Sequence, residues 1–349
     1  IVGVLYMIAA VLTIGALFFI PRALRARGNY RLTLALAITE TFLLLGLVLA
    51  PSLYIAMPLF ILHHALMPLL LFTIDIFTEE RIGKKETVTG GRRGMQLALI
   101  ALGYALAILF AGLLLGSGNP RFALVYLASA LCMLVFCWYI HRKFKHFLDP
   151  SYHDINAFTA LRHFLRTHDF RLVFLAHFLL QLFFAWTVIY IPLYLSTVIE
   201  LSWDKIGLIL FVGLFAYVLL EYPIGKIADR AIGEKEMMAV GFIVLALTTM
   251  YIAFLHTSLL LPWMVTMFMT RVGASLVEVT TESYFFKHTK DTDADIISFF
   301  RASAPLAYIL GALLGSISLI FIPFNYAFLL LGLLMLPGIV FAMLLKDTR

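Results

Sequence analysis

The sequence predicts an all-α, polytopic membrane protein, and three observations lead there. Residues are 62% hydrophobic and 13% charged, with a mean hydropathy of +0.99, a composition far from that of soluble globular domains. Apolar runs long enough to cross about 30 Å of hydrocarbon at about 1.5 Å per residue recur along the whole chain. Lys and Arg gather in alternate connections between those runs, as they do where basic loops stay on the cytoplasmic side.

Taken in order, eleven spans are expected: Val2–Ile20, Leu32–Ala50, Ala56–Ile76, Met95–Leu115, Phe122–Ile140, Leu172–Val198, Ile206–Ile224, Met238–Leu255, Leu260–Phe286, Ile296–Ile320 and Tyr326–Leu345. The basic connections hold Arg22, Arg25, Arg27 and Arg31, then Arg81, Lys84, Lys85, Arg92 and Arg93. Further along come Arg142, Lys143, Lys145, Arg162, Arg166 and Arg171, then Lys226, Arg230 and Lys235, then Lys287 and Lys290, and finally Lys346 and Arg349. The opposite loops carry only Arg121 and Lys205, while Arg271 and Arg301 fall within spans. That alternation places residue 1 outside and the C-terminus in the cytoplasm, in a plasma or inner membrane. The polar segment around Asp149-Pro150, with the basic stretch Phe158–Arg166, reads as a linker or a helix along the membrane surface. It divides the chain into residues 1–141, a linker at 142–171, and residues 172–349.

The stretch Glu221 to Glu236, EYPIGKIADRAIGEKE, is too rich in charge to lie in hydrocarbon and is expected in water at a membrane face. Gly225 and Gly233 suit a turn, since glycine permits close approach and left-handed backbone angles. With its G-x-x-x-D-R-x-x-G order the stretch resembles the cytoplasmic loop signature of the major facilitator superfamily of transporters. The family pattern has one residue between the Arg and the second Gly, and Ala231 and Ile232 stand there in this chain. The resemblance implies a two-bundle fold of twelve spans with both ends cytoplasmic. Val2–Ile20 then corresponds to the second span, with the first one missing from the sequence.

An internal repeat runs in parallel with that resemblance. His64 precedes Asp75 by eleven residues, Arg93 follows 18 later and Gly103 ten after that; Arg271, Glu282, Arg301 and Gly311 repeat the order at 11, 19 and 10. Parallel repeats of this kind relate the two six-span halves of such transporters. Eleven residues make about three helical turns, so His64 and Asp75 share a face, as do Arg271 and Glu282, with Glu278 on the same stripe. Ionisable groups in a span are costly unless they face a cavity or a partner. Asp75 is expected within reach of Arg93, and Glu282 within reach of Arg301.

These residues fall into two candidate sets. Asp75, Arg93, Glu221, Gly225, Asp229, Arg230, Glu282 and Arg301 form a cytoplasmic gate or, equally in keeping with the pattern, permanent structural bridges. His64, Arg271 and Glu278 are candidates for substrate or proton handling, with His177 and Gln181 added because the resemblance places their span along the cavity. Arg271 can hold an anionic group bidentately, or simply pair with Glu278. His63 lies about 100° round the helix from His64 and is expected to pack against a neighbour. Glu40, in mid-span, is either a proton site or a neutralising partner for an adjacent helix. Gly103, Gly112, Gly311 and Gly315 mark faces where helices approach closely.

The function read from this is secondary active transport of a small solute by rocker-switch alternating access, coupled to protons in symport or antiport. No nucleotide-binding loop is present in the sequence, and no cofactor is expected. Cys132 and Cys137 supply neither a disulfide framework nor a metal set. The expected partners are the solute, the lipid bilayer and protons, with no nucleic acid and a monomeric state. A transporter-like receptor or partner-binding subunit is the alternative. An intramembrane enzyme using His63, His64 or His177 with Asp75 is disfavoured, because His64 and Asp75 lie about 16 Å apart along one helix.

Overall fold

In hydrocarbon every backbone N–H and C=O must be satisfied within the segment itself, so apolar runs of this length fold as helices. A computed structural model describes residues 2–82, 89–116, 121–149, 167–230, 233–289 and 299–346, without the side chains of 18, 21, 78–82, 89–93, 229 and 230. The described residues form twelve α-helices: α1 (Val2–Arg27), α2 (Asn29–Leu49), α3 (Leu53–Ile82), α4 (Thr89–Leu115), α5 (Phe122–Phe144), α6 (His168–Thr197), α7 (Trp203–Arg230), α8 (Glu234–Tyr251), α9 (Leu260–Lys287), α10 (Ser303–Phe321), α11 (Phe324–Met335) and α12 (Pro337–Leu344). Among the described residues, ten stretches are long and apolar enough to cross a membrane, and Val2–Leu17 is a shorter apolar one.

Two of the differences from the expected spans have local reasons. The final span is broken into α11 and α12, because Pro337 lacks the N–H that would continue the ladder. The charged stretch after Glu221 is not a loop at its start, since α7 runs on to Arg230. Its Ile224 and Ala228 recur every four residues and are buried with Met237 and Val279. That apolar stripe holds the segment helical and carries Glu221 inside the protein, where it is 2% exposed. Gly233 has a φ of +91° as α8 begins, so the turn reading holds there.

The chain divides into two compact units. The first comprises residues 1–83, 121–161 and 291–310. Within it α1 is pinned to α3 by the Thr13 hydroxyl, which donates to the carbonyl oxygens of Ala9 and Ala65. Ile20, Leu24, Leu32, Leu69 and Phe72 form the core beneath that contact. At the start of α2, Gly28 has φ +74° and ψ 160°. The Asn29 N–H there donates to Asp149 Oδ1 at 2.7 Å, and its side chain donates to the Thr73 carbonyl at 2.9 Å.

The second unit comprises residues 84–120, 162–290 and 311–349. Here α4 lies along α7 at Gly112 and Gly207, where a Cβ added to Gly207 would stand 2.9 Å from the Gly112 Cα. Two bare Cα atoms let the backbones meet. Gly311 and Gly315 pack against Ala185 and Tyr190 of α6, whereas Gly103 faces open space. The start of α8 repeats the backbone of α2: Gly233 has φ 91° and ψ 161°, and Glu234 then accepts from Ser283 and Lys287 of α9. The repeat in the sequence thus has a counterpart in backbone conformation at Gly28 and Gly233.

Candidate functional site

The densest buried polar cluster lies in the second unit, where α6, α7 and α9 face one another. Arg271 comes near the middle of α9 and is 7% exposed. Its Nη2 donates to Thr187 Oγ1 of α6 at 3.3 Å, and the guanidinium lies 4.9 Å over the Phe183 ring. Thr187 is itself oriented by donating to the Phe183 carbonyl at 2.9 Å. Phe183 and Thr187 are one turn apart on α6, so one helical face offers both a ring and a hydroxyl to the cation. Arg271 Nη1 is buried without a hydrogen-bond partner.

Tyr217 of α7 stands beside this cation. It is 4% exposed and its hydroxyl also lacks a hydrogen-bond partner. The charges of Arg271, Glu278 and Glu221 all act on that hydroxyl. Glu221, one turn beyond Tyr217, feels Glu278 and Glu282 and leaves its Oε2 buried and unpartnered. The charge of Glu278 also acts on Tyr104 of α4. One guanidinium and three carboxylates therefore share this part of the unit. Electrostatically, such a site can take an anionic group at Arg271 and a proton among the acids.

His177 and Gln181 join the same face of α6. Gln181 Nε2 lies 3.2 Å from His177 Nε2, and His177 Nδ1 lies 3.4 Å from Thr281 Oγ1. Thr281 in turn donates to the Val277 carbonyl at 2.8 Å.

Of the remaining candidates, Asp75, Arg301, Glu40 and His64 lie in the first unit, and Gly225 lies in the second. Arg301 Nε lies 3.3 Å from Asp75 Oδ2, both groups about a quarter exposed. This ion pair joins one repeat to the other, whereas the expected pairings stayed within each repeat. Glu40 is wholly buried and paired with His63 Nδ1, which identifies the neighbour that the sequence reading left open. His64 packs against Tyr6 and Phe60, with ring centroids 4.3 and 4.8 Å away. Gly225 is a buried position inside α7. The side chains of Arg93, Asp229 and Arg230, and the stretch Phe158–Arg166, lie outside the described residues.

Sequence reasoning missed Tyr217, Thr187 and Phe183. The available signal was the four-residue spacing that puts Tyr217 on the face of Glu221 and ties Phe183 to Thr187. A neutral residue inside an apolar run gives no polar contrast, so that spacing stands out only once Arg271 is known to lie opposite.

Comparison with known proteins gives two positive findings. The model of the Major Facilitator Superfamily matches residues 173–349, a little over half of the chain. The crystal structure of the human organic anion transporter MFSD10 (TETRAN) superposes with a TM-score of 0.68 at 14% sequence identity, covering 98% of this chain and 82% of that one. At that identity the likeness is one of fold. No curated protein matched the chain in sequence.

Proposed function

The chain belongs to the Major Facilitator Superfamily, and on that premise we propose that it carries a small organic anion across the membrane by alternating access, coupled to protons. The observation that carries this reading is Arg271, mid-helix and 7% exposed, with Nη1 lacking a hydrogen-bond partner among the described residues. A buried donor left unmade costs about 1–3 kcal/mol, and more when it is charged. A solute carboxylate arriving between Arg271 Nη1 and the Tyr217 hydroxyl relieves that cost, while Phe183 and Thr187 hold the guanidinium in place. The name of the structural neighbour, an organic anion transporter, points to the same class of solute.

In this reading Glu278 and Glu221 lie near the anion and set the charge of its site. His177, Gln181 and His64 line the path. The Asp75–Arg301 pair acts as a gate in the first unit, and Glu221, Gly225 and Glu282 act as gate residues of the second; Arg93, Asp229 and Arg230 are assigned to the gate on sequence alone. Residues 1–141 and 172–349 are the two bundles that rock, joined by the 142–171 linker, in a monomer whose C-terminus is cytoplasmic. The proposal is tested with the full chain in proteoliposomes, by uptake of the organic anions p-aminohippurate and fluorescein. Uptake above that of empty liposomes, abolished by Arg271→Gln, is the expected result. Failure of both probes to enter, or an Arg271→Gln protein as active as the parent, overturns it.

A further inference from the structure

We propose that Glu40 and His63, in the first unit, form a proton-carrying dyad that couples flux to the pH gradient, a site distinct from the Arg271 cluster; this rests on the transport reading above. Glu40 lies near the middle of α2 with no exposed surface. Its Oε1 meets His63 Nδ1 of α3, and its Oε2 is buried with no hydrogen-bond partner. A carboxylate at such depth is costly unless paired or neutralised. The pair is built asymmetrically, since the His63 side chain is 19% exposed and that of Glu40 is 0% exposed. The imidazole is therefore the more accessible member of the pair.

The step balances simply. A proton arriving at His63 Nε2 makes the imidazolium, whose Nδ1–H donates to Glu40 Oε1. Transfer of the Nδ1 proton leaves a neutral carboxylic acid and a neutral ring that keeps its hydrogen on Nε2. One proton has been taken up, and the reverse sequence releases it.

Several titratable groups lie around the dyad on the elements packed against it. His64 of α3 stacks on His63 with centroids 5.5 Å apart. Tyr6 of α1 contacts His64 and Tyr308, with ring centroids 4.3 and 6.1 Å away, and lies near the hydroxyl of Tyr126 on α5. Cys137 of α5 bonds to Thr41, the residue after Glu40. None of these described groups is a carboxylate or a fixed cation, so the charge of the dyad depends on the proton it holds.

The test compares initial rates of p-aminohippurate and fluorescein uptake with and without an imposed pH gradient, in proteoliposomes of the full chain. In the parent the ratio exceeds one; in Glu40→Gln and His63→Gln it falls to about one, as it must when a coupling free energy is lost. A purely structural pair lowers both rates together and preserves the ratio, which overturns the proposal. So does parental flux that ignores the gradient, while leaving the transport reading standing. If the parent carries neither probe, the transport reading fails, and infrared pH-difference spectra of the lipid-embedded protein decide the dyad alone. A carboxylic-acid band that Glu40→Gln removes and Glu278→Gln retains supports it, and a spectrum unchanged by Glu40→Gln overturns it.

Discussion

Glu40 and Arg271 are both ionisable, both mid-helix and both shielded from solvent, yet their surroundings differ in kind. Glu40 has a titratable partner on the next helix. Arg271 has a hydroxyl and an aromatic face, with a donor to spare. A buried pair is costly to break and often cheap to replace as a whole, whereas an incompletely satisfied ion is already costly in the folded state. The difference therefore separates an ion paired with another titratable group from one held by a neutral hydroxyl and a ring.

The largest effect expected from that contrast is on stability. Glu40→Ala removes one member of the pair and leaves a void; it should destabilise the solubilised protein by about 3 kcal/mol, read from thermal or denaturant unfolding. Arg271→Leu should be neutral or stabilising in the same assay, since it removes an ion whose partners are few. A loss at Arg271 as large as that at Glu40 would break the comparison.

Next in size is the contact of α4 with α7 at Gly112 and Gly207. Gly207→Leu should cost about 1–3 kcal/mol by overpacking, while Gly103→Leu, at a position with nothing within 4 Å, should be tolerated. Asp149→Ala, which removes the acceptor for the Asn29 N–H at the start of α2, should cost about 1 kcal/mol. The smallest effect on stability sharpens the comparison most. Tyr217→Phe deletes a buried hydroxyl without a partner, so unfolding should shift by less than about 0.5 kcal/mol, yet uptake of the organic anion probes should fall. If uptake is unchanged, Tyr217 belongs to the packing and not to the anion site.

Much of the fold was legible because hydrocarbon imposes a strong rule. Long apolar runs must be helices there, and where they end is written in charge. The paired order of His64-Asp75-Arg93 and Arg271-Glu282-Arg301 also announced the repeat. The stretch after Glu221 was read as a loop because Lys226, Asp229 and Arg230 are charged. The stripe of Ile224 and Ala228 that draws it inside is visible only when helical periodicity outweighs local charge. His63 was read as a packing residue, because which helix stands opposite it is not a property of its own span.

The sequence by itself determined a multi-pass helical membrane protein with a small set of interior ions, since each of these follows from composition, run length and spacing along one chain. Only the tertiary structure decided which ion meets which: Glu40 with His63, Asp75 with Arg301, and Arg271 with Thr187 and Phe183. Those choices join residues far apart in the chain, and the energy of a charge in a low-dielectric interior depends on atoms a few ångströms away, whatever their position in the sequence.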